Sequence, residues 1–198
     1  METKADFSAQ LLGAASALSG GSIPVAFVRG DREAKGEFAP LLRQYLPSAT
    51  DGLYDAFNFG SLSAVLLDTG TGEADSGEPT PFSAYLARED KWIRSLKEAD
   101  FSGRYKLVFR HIPQGASFSR YPWNESFAQM GFGAVISSHS HTAKRLESDE
   151  ISVFTLGGKQ LADIWLTMIT LKGGKIALSV TNTIGRTVFS DEATRTQE

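Results

Sequence analysis

An α/β fold built around a mixed sheet or a pair of sheets follows from three features of this 198-residue chain. Segments of helical period alternate with short apolar runs in the first half. The second half is a succession of Val/Ile/Thr-rich runs separated by Gly157-Gly158, Gly173-Gly174 and Gly185. No linker is long enough to divide the chain, and there is no internal repeat. Helix–strand alternation builds α/β layers, and glycine-punctuated apolar runs build sheet. The expected organisation is one domain over residues 1–190, with DEATRTQE at 191–198 as a frayed tail.

The elements follow in order. Residues 6–18 read as a helix, with Phe7, Leu11, Leu12, Ala15 and Leu18 near the 3.6-residue period and Gly20-Gly21 as a stop. Ile23–Val28 is a continuous apolar run, the pattern of a strand buried on both faces, and Arg29-Gly30-Asp31 ends it. A helix is expected over about 33–46, with Pro40 inside its first turns. Leu53–Phe59 and Leu62–Leu67, joined by Gly60-Ser61, predict a hairpin, and 69–80 a polar surface loop. A helix over 81–98 and a strand at Tyr105–Phe109 come next, then an irregular aromatic stretch over 114–130. Gly133–Ile136 predicts a strand, and runs near 150–156, 163–171, 175–181 and 185–189 a closing antiparallel series.

Composition narrows the function classes. A content of 41 % hydrophobic and 22 % charged residues is that of a globular protein, not a disordered one. A net charge of −3 leaves no basic footprint for nucleic acid. No apolar stretch reaches the length of a membrane span. Glu2 and Asp6 stand where a signal peptide wants basic residues. The absence of cysteine removes disulfides, thiolate metal sites and a Cys nucleophile, and it fits a reducing, cytoplasmic setting.

The chemistry concentrates at strand ends. The three histidines, His111, His139 and His141, each follow a predicted strand, and Asp31 follows the Ile23–Val28 run. Loops at the carboxyl ends of strands are where α/β folds place ligands and catalysts. In an extended segment residues i and i+2 point the same way, so His139 and His141 are expected to face one site. Neutral imidazoles with a carboxylate suit zinc, iron and related ions. Taken one at a time, each has a plainer role: a solvated His-x-His pair, a structural His111, an Asp31 that caps a turn.

Val28-Arg-Gly-Asp-Arg-Glu33, Phe109-Arg-His-Ile-Pro113 and Ser138-His-Ser-His141 resemble, in order, three signature blocks of the calcineurin-like metallophosphoesterases. Those are a Gly-Asn-His-Glu box, a strand ending in His, and a Gly-His-x-His box. The likeness extends over roughly residues 8–190. It implies two mixed sheets packed as a sandwich flanked by helices, N-terminally incomplete. It implies divalent ions (Mn, Fe or Zn; one or two) that activate water for attack on a phosphate mono- or diester, and two such ions sit about 3.5–4 Å apart. By this resemblance Asp31, His111 and His139 ligate the second ion, His141 ligates the first, and Arg32 stands where a His stabilises the transition state.

The departures from the pattern are specific. Asp31 replaces Asn and keeps an oxygen donor. Arg32 replaces His; a guanidinium clamps phosphate but does not shuttle protons. Ser138 replaces Gly, and Arg110 replaces a residue that is frequently His. Residues 1–30 contain no His and no Gly-Asp pair, so the family's Asp-x-His and Gly-Asp blocks have no counterpart there. Three outcomes are compatible with this. The chain is a phosphoesterase acting on a small phosphoester or phosphorylated substrate, completed by another segment or an oligomer. It is a non-catalytic binding or scaffold protein that uses the cleft for an anion or protein partner. Or it is a shortened chain with unpaired sheet edges.

Overall fold

The computed structural model describes residues 13, 16–17, 20, 22–36, 39–46, 48–70, 82–113, 121–158 and 165–194. Two sheets and a helical layer organise them. The larger sheet has the order β1-β2-β3-β4-β6-β5. Its strands are β1 (Asp55–Phe59), β2 (Leu62–Leu66), β3 (Tyr105–Phe109), β4 (Ala134–Ser137), β5 (Lys144–Leu146) and β6 (Ser152–Thr155). The four inner strands β2, β3, β4 and β6 run parallel, and the edges β1 and β5 run antiparallel. Inner parallel strands are covered on both faces, which explains sequences such as Ala-Val-Ile-Ser with no polar alternation. The smaller sheet, β7 (Leu166–Lys172), β8 (Lys175–Thr181) and β9 (Thr187–Thr194), is antiparallel throughout.

Side-chain alternation sorts the core into two halves. Val65, Val108, Val135 and Val153 face the helices α1 (Phe82–Ser95) and α2 (Trp123–Gln129), meeting Leu86, Ile93, Trp123 and Phe127. Tyr105, Leu107, Ala134, Ile136 and Phe154 face the smaller sheet, meeting Ile176, Leu178, Val180 and Ala193. The result is the sandwich of two sheets with helices that the resemblance implies, with the larger sheet mixed and the smaller one antiparallel rather than mixed. The hairpin β1–β2 forms at its expected place; Gly60 supplies the positive φ of 58° that its two-residue turn requires. No described helix is long and apolar enough to cross a membrane.

Several expectations are corrected. Ile23–Val28 has no regular secondary structure and belongs to no sheet, and Ile23 and Val25 are 63 % and 56 % exposed. Both flanks of β2 are already taken, by β1 and β3, which leaves this run no place beside it. The helix expected over 33–46 is reduced to a 3-10 helix at Ala39–Gln44, because Gly36 adopts a φ of 88° and Pro40 sets the start of the helical turn. The irregular stretch contains α2, whose Trp123 and Phe127, four residues apart, are fully buried. The run near 150–156 joins the larger sheet, parallel to β4, and the short β5 was not anticipated. Strand β9 runs to Thr194 with Ala193 in the core, so residues 191–194 are sheet rather than tail. The helix expected over 6–18, most of the 69–80 loop, and residues 114–120 and 195–198 lie largely or wholly outside the described residues.

Candidate metal centre

Three chain segments meet beyond the carboxyl ends of β3 and β4. His111 lies two residues past β3 and His139 two past β4, and the two strands are parallel neighbours. The amide of Ser138 donates to the His111 carbonyl at 2.9 Å, so the pairing continues beyond the strands and sets the two loops side by side. Asp31 arrives from elsewhere, in the turn at 31–34 that follows the unpaired run.

His111 Nε2 stands 2.9 Å from Asp31 Oδ1, His139 Nδ1 stands 3.3 Å from His111 Nε2, and His139 Nδ1 lies 3.9 Å from Asp31 Oδ1. Among the described residues these three form a group able to hold a metal ion. Donor atoms around a tetrahedral ion with bonds of about 2.0–2.1 Å stand roughly 3.3 Å apart, so the spacing fits one ion. Two imidazoles and a carboxylate suit zinc, iron or manganese by donor chemistry.

The electrostatics favour the ligand forms. Burial raises the Asp31 carboxyl, but the His111 hydrogen bond and the charges of His111 and His139 outweigh it and hold the group below the usual carboxylate range. Burial lowers His111, only partly opposed by Asp31, so its imidazole is neutral near pH 7. With an acceptor-only carboxylate facing Nε2, that nitrogen carries the proton. Nδ1 then accepts from the Ser138 hydroxyl at 2.8 Å. Ligation through Nε2 requires the opposite tautomer, in which Nδ1–H donates to the same hydroxyl. A hydroxyl serves either arrangement.

His141 stands apart from this group: its Nδ1–H donates to the Gly158 carbonyl at 2.9 Å. The expectation that His139 and His141 face the same way assumed extended backbone. Both adopt left-handed φ, 52° and 51°, and the alternation is lost. Non-glycine residues in that region store strain and need a surrounding that fixes them. Thr155, fully buried on β6, supplies it by donating to the Ser138 carbonyl at 2.8 Å and pairing with the Ser140 hydroxyl. Arg32 is exposed on the Asp31 turn, and its amide hydrogen-bonds the Asp31 carboxylate. A Cβ on Gly30 would displace the movable carboxylate end of Glu33 and touch the His111 ring at 3.5 Å, an ordinary packing distance, so the turn lies directly against the site.

Sequence reasoning missed the partners that hold these candidate ligands. Ser138 was read as a departure from glycine; it does not adopt positive φ, and its hydroxyl meets His111. Behind the site, Arg29 and Asp68 form a buried ion pair, and Glu89 lies fully buried beside it. An acid on the apolar stripe of α1, between Leu86 and Ile93, was the available signal for Glu89.

No protein-family model matches the sequence, and no curated protein matches it. Among solved structures, the chain is similar to GAP50, the anchor in the inner membrane complex of Plasmodium. That similarity has a TM-score of 0.61 at 15 % identity, over 86 % of this chain and 66 % of that one. A single-mutant Vps29 from Entamoeba histolytica is also found, at a TM-score of 0.30 and 8 % identity, over 72 % of this chain and 62 % of that one. The overlap with Vps29 is too low to argue from; the overlap with GAP50 shows a shared fold and nothing about activity. The chain spans just under two thirds of the length of either protein. The sandwich of two sheets with helices against the larger one is the architecture expected from the metallophosphoesterase resemblance.

Proposed function

We propose that this chain binds one divalent cation (manganese, iron or zinc) at Asp31, His111 and His139, and through it a phosphate mono- or diester that it hydrolyses. The observation that carries this reading is the convergence of a carboxylate and two imidazoles, from three separate loops, on one point beyond the sheet. When bound, such an ion polarises the phosphoryl oxygen and lowers the pKa of a water ligand. The chain's own residues do the rest. Asp31 offsets the ion's charge, Ser138 fixes the His111 ring, and Arg32 places a permanent cation on the turn that carries Asp31. Arg32 is suited to holding phosphate oxygens and not to moving protons.

Manganese titration by calorimetry, paired with hydrolysis of p-nitrophenyl phosphate and its bis-ester, tests this. One manganese per chain is expected, with turnover that drops to the buffer background in His139→Ala. No manganese bound, or the same rate in His139→Ala, removes the proposal. A second reading, a non-catalytic binding or scaffold protein, is favoured by there being one such group of donors among the described residues, enough for one ion and not for a pair. Stoichiometric manganese with no turnover of either ester selects that reading.

A further inference from the structure

The placement of Asp31 poses a physical problem. His111 and His139 are set by neighbouring parallel strands, but residues 24–30 make no sheet pairing, so no backbone ladder holds Asp31 opposite them. A hydrogen bond to an imidazole does not locate a mobile turn by itself, since either partner can meet water instead. Something else fixes that turn.

The fixture is the loop that leaves β2. Arg29, two residues before Asp31, forks onto Asp68, with Nε 3.0 Å from Oδ1 and Nη2 2.6 Å from Oδ2. The two side chains are 9 % and 0 % exposed. A bidentate guanidinium–carboxylate pair fixes orientation as well as distance. The Asp68 carboxylate is itself held: Tyr85 of α1 donates its hydroxyl at 2.6 Å and the Gly70 amide donates at 3.2 Å. The Asp68 amide donates to Glu89 at 2.8 Å, and the Arg29 guanidinium lies over the rings of Phe82 and Tyr85. The next residue in the chain, Thr69, accepts the amide of Ile112 at 3.1 Å, directly after His111. Two consecutive residues therefore anchor two of the three segments that carry the site, one through Arg29 and one through Ile112.

We propose that Asp68 and Thr69 are positioning residues: they clamp the Asp31 turn and the His111 loop to one point and so set the 2.9 Å contact between Asp31 and His111. A buried ion pair adds little net stability over an apolar replacement, so geometry is the role left for it. The inference rests on the reading of Asp31 and His111 as cation ligands, and its test has a readout that needs no cation.

Arg29→Lys keeps the charge and removes the fork; Thr69→Val removes the acceptor, and Thr69→Ser restores it. Imidazole nitrogen NMR of the metal-free protein should show His111 held as the Nε2–H tautomer in wild type and Thr69→Ser. Arg29→Lys and Thr69→Val should show exchanging tautomers, with unchanged far-UV circular dichroism. Manganese affinity should fall by roughly 10–100-fold in the same two variants and recover in Thr69→Ser, the range for groups that orient ligands. A wild-type His111 spectrum in folded Arg29→Lys and Thr69→Val overturns the clamp, whatever binds. Failure of wild type to bind manganese removes the proposed function alone, and the nitrogen spectra still decide the clamp. Lost stability with unchanged spectra and affinity in the folded protein makes the pair merely structural and also overturns it.

Discussion

Ser138 shows how one side chain can change the meaning of a sequence departure. Where the resemblance has a glycine, this chain has a hydroxyl 2.8 Å from His111 Nδ1. Such contacts set ring orientation and ligand basicity, and their loss costs about 10–100-fold in metal affinity. Ser138→Ala is therefore expected to weaken manganese binding by about tenfold or more with little change in melting temperature; equal affinity would show the hydroxyl to be idle. Asp31, His111 and His139 were legible because each follows an apolar run, where chemistry gathers in α/β folds. The separation of His141 was not legible. It depends on two left-handed residues pinned by Thr155, a contact 17 residues away from Ser138 along the chain.

At the scale of elements, α1 carries a consequence for pH. Its buried stripe runs Leu86, Glu89, Ile93, so an acid occupies a core position facing the Asp68 loop. Burial, reinforced by the neighbouring Asp68, raises the Glu89 carboxyl well above its ordinary value. A carboxyl whose folded pKa lies above its unfolded one stabilises fully below the unfolded value of about 4.5, and that contribution drains away as pH rises toward the folded pKa. Glu89→Gln mimics the protonated acid and keeps an acceptor for the Asp68 amide. Urea unfolding at pH 5 and pH 8 should show wild type losing stability over that interval and Glu89→Gln losing less. Parallel losses would mean that Glu89 is ionised in the fold. Helix α1 was visible in the sequence as an amphipathic period, whereas α2 was missed because seven residues are too few to establish one.

For the whole molecule, the main surprise is where apolar surface was left uncovered. The smaller sheet lies over β3, β4 and β6, while the same face of β1 and β2 borders a cavity of about 600 Å³. Phe57, Phe59, Leu62, Ala64 and Leu66 line it on the sheet side, and Ile23–Val28 on the other. The run with the most strand-like sequence is thus a wall and not a strand. Ile23→Ser together with Val25→Ser should change unfolding free energy by no more than about 0.5 kcal/mol per site, as for exposed positions, and should lower binding of an apolar dye. A loss of several kcal/mol would mean that the run is a buried strand after all.

The α/β class, the hairpin at Gly60-Ser61 and the places of His111 and His139 just past strand ends follow from local pattern, because periodicity and strand-end position are properties of short stretches of chain. Tertiary structure alone decided which runs became strands, how far β9 extends, and which way His141 turns. It alone set Asp31 against His111, by way of Arg29 and Asp68, 39 residues apart in sequence. Those outcomes depend on which neighbours compete for a sheet edge and on buried polar groups finding partners across the fold. No local window of sequence contains either.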